Sequence, residues 1–234
     1  MSKILIVEDE ESIRKLIRVN LEMDKYIVEE AESGEEALEK FATFNPDIAL
    51  LDVMLPGMDG FQVCKILRSQ DLDLGIIMLT AKSQDIDKIE GLESGADDYV
   101  AKPFNPKELI LRIKSLERRV IRNPKEHEKE DRFIENSCFK LDKKSRKFYK
   151  NGDEIELTPT EYSVVKLFFE NLGEAISRDE ILDRIWGEDY IGDSKIVDVN
   201  IRRLRSKIED DSSNPDYLQT VWGMGYIWED LDAK

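Results

Sequence analysis

Apolar residues recur along this chain in two rhythms. Short continuous runs at Lys3–Val7, Tyr26–Ala31, Asp47–Leu51, Gly75–Leu79 and Asp97–Val100 predict strands, and the most apolar of them suit a parallel sheet covered on both faces. Between them, apolar residues return every three or four positions and predict helices. The first helix spans Glu10–Glu22. The second opens on Ser33-Gly-Glu-Glu36, a capping box. The third runs from Asp59 to Arg68 with Phe61, Cys64, Ile66 and Leu67 inward, and the fourth covers Gln84–Glu93. The fifth starts at Asn105-Pro-Lys-Glu108, an N-cap with Pro at the first helical position, and continues to Val120. Five βα units in residues 1–120 predict a doubly wound α/β domain with the flavodoxin-like strand order 2-1-3-4-5.

The rhythm then changes. Residues 121–132 are charged, contain Pro124 and lack apolar periodicity, which predicts an interdomain linker. Short strands follow at Phe133–Phe139, Lys147–Lys150 and Glu154–Leu157, the last two joined by an Asn151-Gly152 hairpin turn. Thr158-Pro-Thr-Glu161 and Ser177-Arg-Asp-Glu180 are helix starts of the capping-box kind. A third helix spans Ser194–Ile208, and a hairpin closes the domain at Tyr217–Val221 and Tyr226–Trp228. Sheet, three helices and hairpin over residues 133–230 predict an α+β winged helix-turn-helix domain. On a helical wheel Val197, Ile201, Leu204 and Ile208 share one stripe. Lys195, Val199, Arg202 and Ser206 face away from it, with Arg203 at their edge and Asn200 and Arg205 on the flanks. A basic outward face on such a helix predicts a helix that reads the DNA major groove.

Composition narrows the function. The 234 residues are 41% hydrophobic and 37% charged, enough apolar content for packed cores. Apolar runs fall well short of a membrane span, and Met1 leads straight into a strand, so a cytoplasmic protein without a signal peptide is expected. Cys64 and Cys138 have no metal-ligand spacing, and His127 is the single histidine, which argues against histidine-based catalysis. The formal net charge is −16 and both halves are acidic. DNA binding must therefore come from a local basic patch working against the overall field.

The candidate chemistry lies at strand ends. Glu8 and Asp9 follow the first strand, Asp52 follows the third, Thr80 the fourth and Lys102 the fifth. In the 2-1-3-4-5 order the first and third strands are neighbours, so three carboxylates meet at the switch point, where open sheets bind ligands. Such a cluster needs a proton or a cation, and hard oxygen donors with room for water suit Mg²⁺. With a hydroxyl and an ammonium beside it, the cluster can take a phosphoryl group, and Asp52 is the candidate nucleophile.

These residues carry a resemblance. Glu8-Asp9, Asp52, Thr80 and Lys102-Pro103, with Leu51–Gly60 and Gly95–Phe104 around them, resemble the response-regulator receiver domain. The resemblance implies phosphorylation of Asp52 by a sensor histidine kinase. It implies that Mg²⁺ is held by Glu8, Asp9, Asp52 and the Met54 backbone carbonyl. It gives Thr80, Tyr99 and Lys102 the switch and phosphate contacts, with Tyr99 moving inward alongside Thr80. Val197–Arg205 and Thr220–Tyr226 resemble the effector domain of the OmpR/PhoB subfamily, and this implies a transcription regulator that dimerises when phosphorylated and binds direct-repeat promoter sites. The implied dimer surface comprises Lys88, Ile89, Leu92, Glu93, Asp97, Asp98, Glu108, Ile110, Arg112, Lys114 and Arg119. There Glu93, Asp97 and Asp98 are expected to pair across a two-fold axis with Arg112, Lys114 and Arg119. The candidate DNA contacts are Lys195, Val199, Asn200, Arg202, Arg203, Arg205, Thr220, Trp222 and Tyr226. Three positions depart from the subfamily pattern: Asn200 stands where many members have His, Trp222 where many have Arg, and Ile227 where many have a basic residue after the wing tyrosine.

Two rival readings are weaker. A Mg²⁺-dependent phosphohydrolase needs a second acid two residues after its nucleophile, and Met54 stands there. A scaffold acting on RNA polymerase without DNA leaves the basic stripe unexplained, although RNA polymerase stays a candidate partner. The chain is thus expected to accept a phosphoryl group rather than to act as an enzyme, beyond self-phosphorylation and autodephosphorylation.

Overall fold

A computed structural model describes residues 1–81, 95–120, 132–190 and 192–229. The chain forms two compact units, Met1–Ile121 and Arg122–Lys234. The predicted helix at Gln84–Glu93, with Lys88, Ile89, Leu92 and Glu93, lies outside the described residues, as does nearly all of the predicted linker.

In the first unit, β1 (Lys3–Val7), β2 (Ile27–Ala31), β3 (Ile48–Asp52), β4 (Gly75–Thr80) and β5 (Asp98–Ala101) form one parallel sheet in the order 2-1-3-4-5. β3 and β4 are buried throughout, as expected for central strands covered on both faces. Strand alternation divides their side chains. Ile4, Ile6, Ile48, Leu50, Ile77 and Leu79 pack in one cluster with Ile17 and Leu21 of α1 (Glu11–Met23) and Leu109, Ile113 and Leu116 of α4 (Pro106–Val120). Leu5, Val7, Ala49, Leu51, Ile76 and Met78 alternate to the other face. There α2 (Gly34–Phe44) and α3 (Gly60–Gln70) pack on β1 and β3. On α3 the fully inward residues are Val63, Cys64 and Leu67, while Phe61 and Ile66 are only half-buried. Gly60 sits where the chain leaves the sheet edge. A Cβ there would lie 2.0 Å from the Asp52 carbonyl oxygen, so no other residue fits without moving the backbone that carries Asp52.

The second unit begins with an antiparallel meander, β6 (Phe133–Asn136), β7 (Phe139–Asp142), β8 (Lys147–Lys150) and β9 (Asp153–Ile155). The single strand expected over Phe133–Phe139 is thus two. Ser137 takes a φ of +53°, a left-handed turn that folds β7 back on β6. Asn151 and Gly152 both have positive φ, the hairpin geometry the Asn-Gly pair predicts. Three helices follow: α5 (Pro159–Phe169), α6 (Arg178–Trp186) and α7 (Lys195–Ile208). A further sheet of β10 (Ala175–Ser177), β11 (Leu218–Val221) and β12 (Gly225–Trp228), in the order β10-β12-β11, joins the closing hairpin to a short strand outside those the sequence predicts. Phe139, Phe148, Phe169 and Trp228 meet edge to face and stacked in the core. Together these elements are a winged helix-turn-helix.

Of the three expected capping boxes, the one at Thr158 is reciprocal: Thr158 Oγ1 accepts from the Glu161 amide and the Glu161 carboxylate accepts from the Thr158 amide. Ser33 and Ser177 cap their helices, but the returning acids find other donors. Glu36 accepts from the Glu32 amide and pairs with Lys40, and Glu180 pairs with Arg184.

Candidate functional site

The parallel register aligns the strand ends: Val7 opposes Leu51, Asp52 opposes Leu79, and Thr80 opposes Ala101. Glu8, Asp52, Thr80 and Lys102 therefore share one edge of the sheet. Glu8, Asp52 and Thr80 are buried, whereas Asp9 is exposed. Each of the three carboxylates has an oxygen within 4.8 Å of the others. Lys102 Nζ lies 2.6 Å from Glu8 Oε2 and 2.9 Å from Asp52 Oδ2, bridging the two buried acids. Burial raises the Glu8 pKa and the Asp52 charge adds to this, while Lys102 works against it. Burial acts to lower the Lys102 pKa, but its hydrogen bonds to Glu8 and Asp52 prevail and raise it. The ammonium is thus held charged between two carboxylates.

The donor set fits a hard divalent cation. Two buried carboxylates and one exposed one leave room for water ligands. The Met54 amide donates to Asp52 Oδ1 at 3.3 Å, so the backbone after Asp52 stays beside the cluster. One residue the sequence reading missed holds this cluster in place. Arg14 is buried on α1 and donates from Nη1 to the carbonyl oxygens of Glu8, at 2.6 Å, and Asp9, at 3.2 Å. Its Nη2 pairs with Glu32. The signal available in the sequence was a basic residue one position after the inward Ile13, within the first turns of an amphipathic helix.

Tyr99 is buried in this structure. Of the charges expected to pair between copies, Asp97, Asp98, Arg112 and Lys114 have partners within the chain. Asp97, fully buried, accepts from Arg68 Nη2 and from the Ile76 amide. Arg112 is wedged between Asp98, at 3.1 Å, and Glu108, at 2.7 Å. Arg119 and Ile110 are buried as well, and Lys114 pairs with Asp24. Asp97 and Asp98 are fully buried within the single chain. What α4 exposes is Lys107, Leu111, Lys114 and Arg118.

In the second unit the outward face of α7 is narrower than the wheel predicts. Val199 is 3% exposed and Asn200 1%, so neither faces solvent. The reason is packing on more than one side: α7 contacts α5 and α6 and is also tied to the wing. Arg205 Nε donates to the Leu218 carbonyl at 2.8 Å, and its Nη2 to Thr220 Oγ1 at 2.9 Å. Tyr226 is buried, and its hydroxyl donates to Asp198 Oδ1 at 2.5 Å, with Arg178 Nε on the same oxygen at 2.8 Å. Burial and that carboxylate push the Tyr226 pKa up to about 12. Arg205, Thr220 and Tyr226 thus fasten the wing to the helix. Lys195 and Arg202 are exposed, Arg203 is half-buried, and Trp222 projects from the wing tip.

Comparisons with known proteins agree with this architecture. Residues 4–114 match the family model of the response regulator receiver domain, and residues 152–228 match that of the transcriptional regulatory protein, C terminal. The chain is 44% identical over 232 residues to the alkaline phosphatase synthesis transcriptional regulatory protein PhoP of Bacillus subtilis, covering 97% of each. It is 42% identical over 229 residues to the sensory transduction protein RegX3 of Mycobacterium tuberculosis, covering 98% of this chain and 100% of the relative. A solved structure of a RitR mutant superposes with a TM-score of 0.72 at 26% identity, covering 98% of this chain and 100% of that one. No helix among the described residues is long and apolar enough to cross a membrane. The chain belongs to the response-regulator family, OmpR/PhoB type, and is a transcriptional regulator of a two-component system in which a receiver domain precedes a DNA-binding effector domain.

Proposed function

We propose that the receiver, residues 1–120, takes a phosphoryl group on Asp52 from a sensor histidine kinase. The linker, 121–132, would pass the change to the effector domain, 133–230. One observation carries this reading: Asp52 ends a fully buried strand with Lys102 Nζ 2.9 Å from its carboxylate and Glu8 and Asp9 clustered beside it. Glu8, Asp9, Asp52 and the Met54 carbonyl would hold Mg²⁺, which when bound would neutralise charge on the transferring phosphoryl oxygens. The Asp52 carboxylate oxygen forms the new P–O bond as the P–N bond to the kinase's phosphohistidine breaks. Lys102 then exchanges a carboxylate partner for phosphoryl oxygens, and Thr80 donates its hydroxyl to the same group. The acyl phosphate carries roughly −1.5 to −2 charge in place of the carboxylate's single charge, and its added oxygens draw both side chains toward Asp52 and let Tyr99 follow.

In this reading the phosphorylated receiver dimerises through the exposed stripe of α4, Leu111, Lys114 and Arg118, together with residues 88–93. Two effector domains then bind direct-repeat half-sites, and linkage raises their affinity through effective concentration. Lys195, Arg202 and Arg203 of α7 face the major groove. RNA polymerase is a further partner of the bound dimer, and the setting is cytoplasmic. The test is chemical. Acetyl phosphate with Mg²⁺ should add one alkali-labile phosphoryl group, mapped by mass spectrometry to Asp52 and absent in Asp52→Asn. A label mapped to another residue overturns the reading.

A further inference from the structure

The wing is built differently from the rest of this acidic surface. Between Asp216 and Glu229 the sequence Tyr217–Trp228 has no charged residue. Its tip carries two exposed apolar side chains, Trp222 at 93% and Met224 at 60%, around Gly223 with a φ of +76°. The hairpin is also stiffly mounted. Arg205, near the C-terminal end of α7, holds β11 through Leu218 and Thr220, and Asp198, near the N-terminal end, holds Tyr226 of β12. Both strands of the wing are thus fixed to the helix that carries Lys195 and Arg202.

Size decides what such a tip can engage. A tryptophan buries roughly 150–250 Å², and even with a methionine beside it the tip stays well short of the roughly 800 Å² per partner of a stable protein interface. One flat ring is instead the right scale for a single base step, where apolar wedges partly unstack the duplex from the minor groove. A helix fills the major groove, about 12 Å wide, so a hairpin clamped alongside it overhangs the neighbouring minor groove. With no charge on the hairpin, phosphate attraction cannot be what recruits it.

We propose that Trp222, backed by Met224, is an apolar wedge that enters the minor groove beside the half-site and unstacks one base step. The wing then selects sites by how easily that step deforms, with pyrimidine–purine steps favoured, rather than by electrostatic attraction. This rests on the reading of α7 as the major-groove helix.

The chain supplies its own reporter. Of its three tryptophans, Trp186 and Trp228 are buried, so a neutral quencher such as acrylamide reads Trp222. The full chain, treated with acetyl phosphate and Mg²⁺, is used to recover bound duplexes from a random-sequence pool. On those duplexes Trp222 should become several-fold less quenchable, and 2-aminopurine at one flanking step should brighten. Trp222→Ala should abolish that brightening and weaken binding on the order of ten- to a hundredfold, while Trp222→Phe retains most of both. Arg202→Ala should lower specific affinity with the wing intact. If Trp222 stays fully quenchable on a duplex whose binding still depends on Arg202, the wedge is overturned alone. Shielding without any 2-aminopurine response also overturns it, placing the ring on the backbone. If Arg202→Ala has no effect, or no duplex is recovered, the α7 reading falls and the wedge falls with it.

Discussion

Lys102 in the receiver and Arg205 in the effector domain are both basic, both within functional regions, and both spend their hydrogen bonds inside the chain. Lys102 faces two carboxylates, and their attraction raises its pKa despite burial. Arg205 faces a carbonyl and a hydroxyl, and burial lowers its pKa. The first arrangement is set by charge and changes when charge is added beside it. The second rests on hydrogen bonds of fixed geometry that hold two elements in register. Under the proposed function, the receiver needs the former because its signal is a change of charge, and the effector domain needs the latter because its helix and wing are to meet the duplex together.

The largest effect expected is from Arg112→Ala. It strips the buried Asp98 of its guanidinium partner, and breaking a buried pair costs about 3–5 kcal/mol. Urea denaturation should show the receiver transition shifted by that amount at protein concentrations where the parent is monomeric. A variant that keeps parental stability and only loses dimerisation would restore Arg112 to the interface. Lys102→Ala should be of similar size without divalent cations, because Glu8 and Asp52 then face each other unscreened. Millimolar Mg²⁺ should offset much of that loss. If Mg²⁺ stabilises the variant no more than the parent, the ammonium and the cation are not alternative occupants of the cleft.

Arg205→Ala should show the contrast from the other side, a loss of about 1.5–3 kcal/mol in the effector transition that Mg²⁺ does not touch. DNA binding should weaken on specific and scrambled duplexes alike. Loss confined to one base position would return Arg205 to direct base reading. The smallest effect is expected of Asp142→Asn, about 1 kcal/mol. Hydrogen bonds from Arg132 hold the Asp142 carboxyl well below the usual carboxylate range, burial opposes this, and the Ser145 and Lys144 amides add to it. A depressed folded pKa gives stability that is fully present above the unfolded value of about 3.9 and is lost as pH falls toward the folded one. The parent effector transition should therefore drop below pH 4 more steeply than that of Asp142→Asn. Parallel pH curves would show that the Asp142 charge contributes nothing.

The receiver cleft was legible because strand ends are. A buried parallel strand reads as an uninterrupted apolar run, so the first acid after it marks the sheet edge, and Glu8, Asp52 and Lys102 lie where Ile6, Leu51 and Val100 imply. Partners in sequence-distant elements were not legible. Nothing local tells Asp98 that Arg112 will be folded onto it within the chain. The wheel for α7 failed at Val199 and Asn200 for a related reason. It assumes one buried stripe, and a helix packed against two helices and tied to a hairpin has more. Ser137 shows the limit at short range. A left-handed serine has no strong sequence signal, so the turn between β6 and β7 was invisible beside the obvious Asn151-Gly152.

That meander also sets a clock. Among the described residues β6 to β9 pair with their sequence neighbours alone, within residues 133–155. In the receiver Ile4 must find Ile48 before β1 and β3 can join. Hairpins close in about 1–10 μs, whereas pairings between distant segments wait on the entropy of closing long loops. The effector's first sheet can therefore assemble from local pairings, while the parallel sheet ahead of it in the chain completes only once strands far apart in sequence have met.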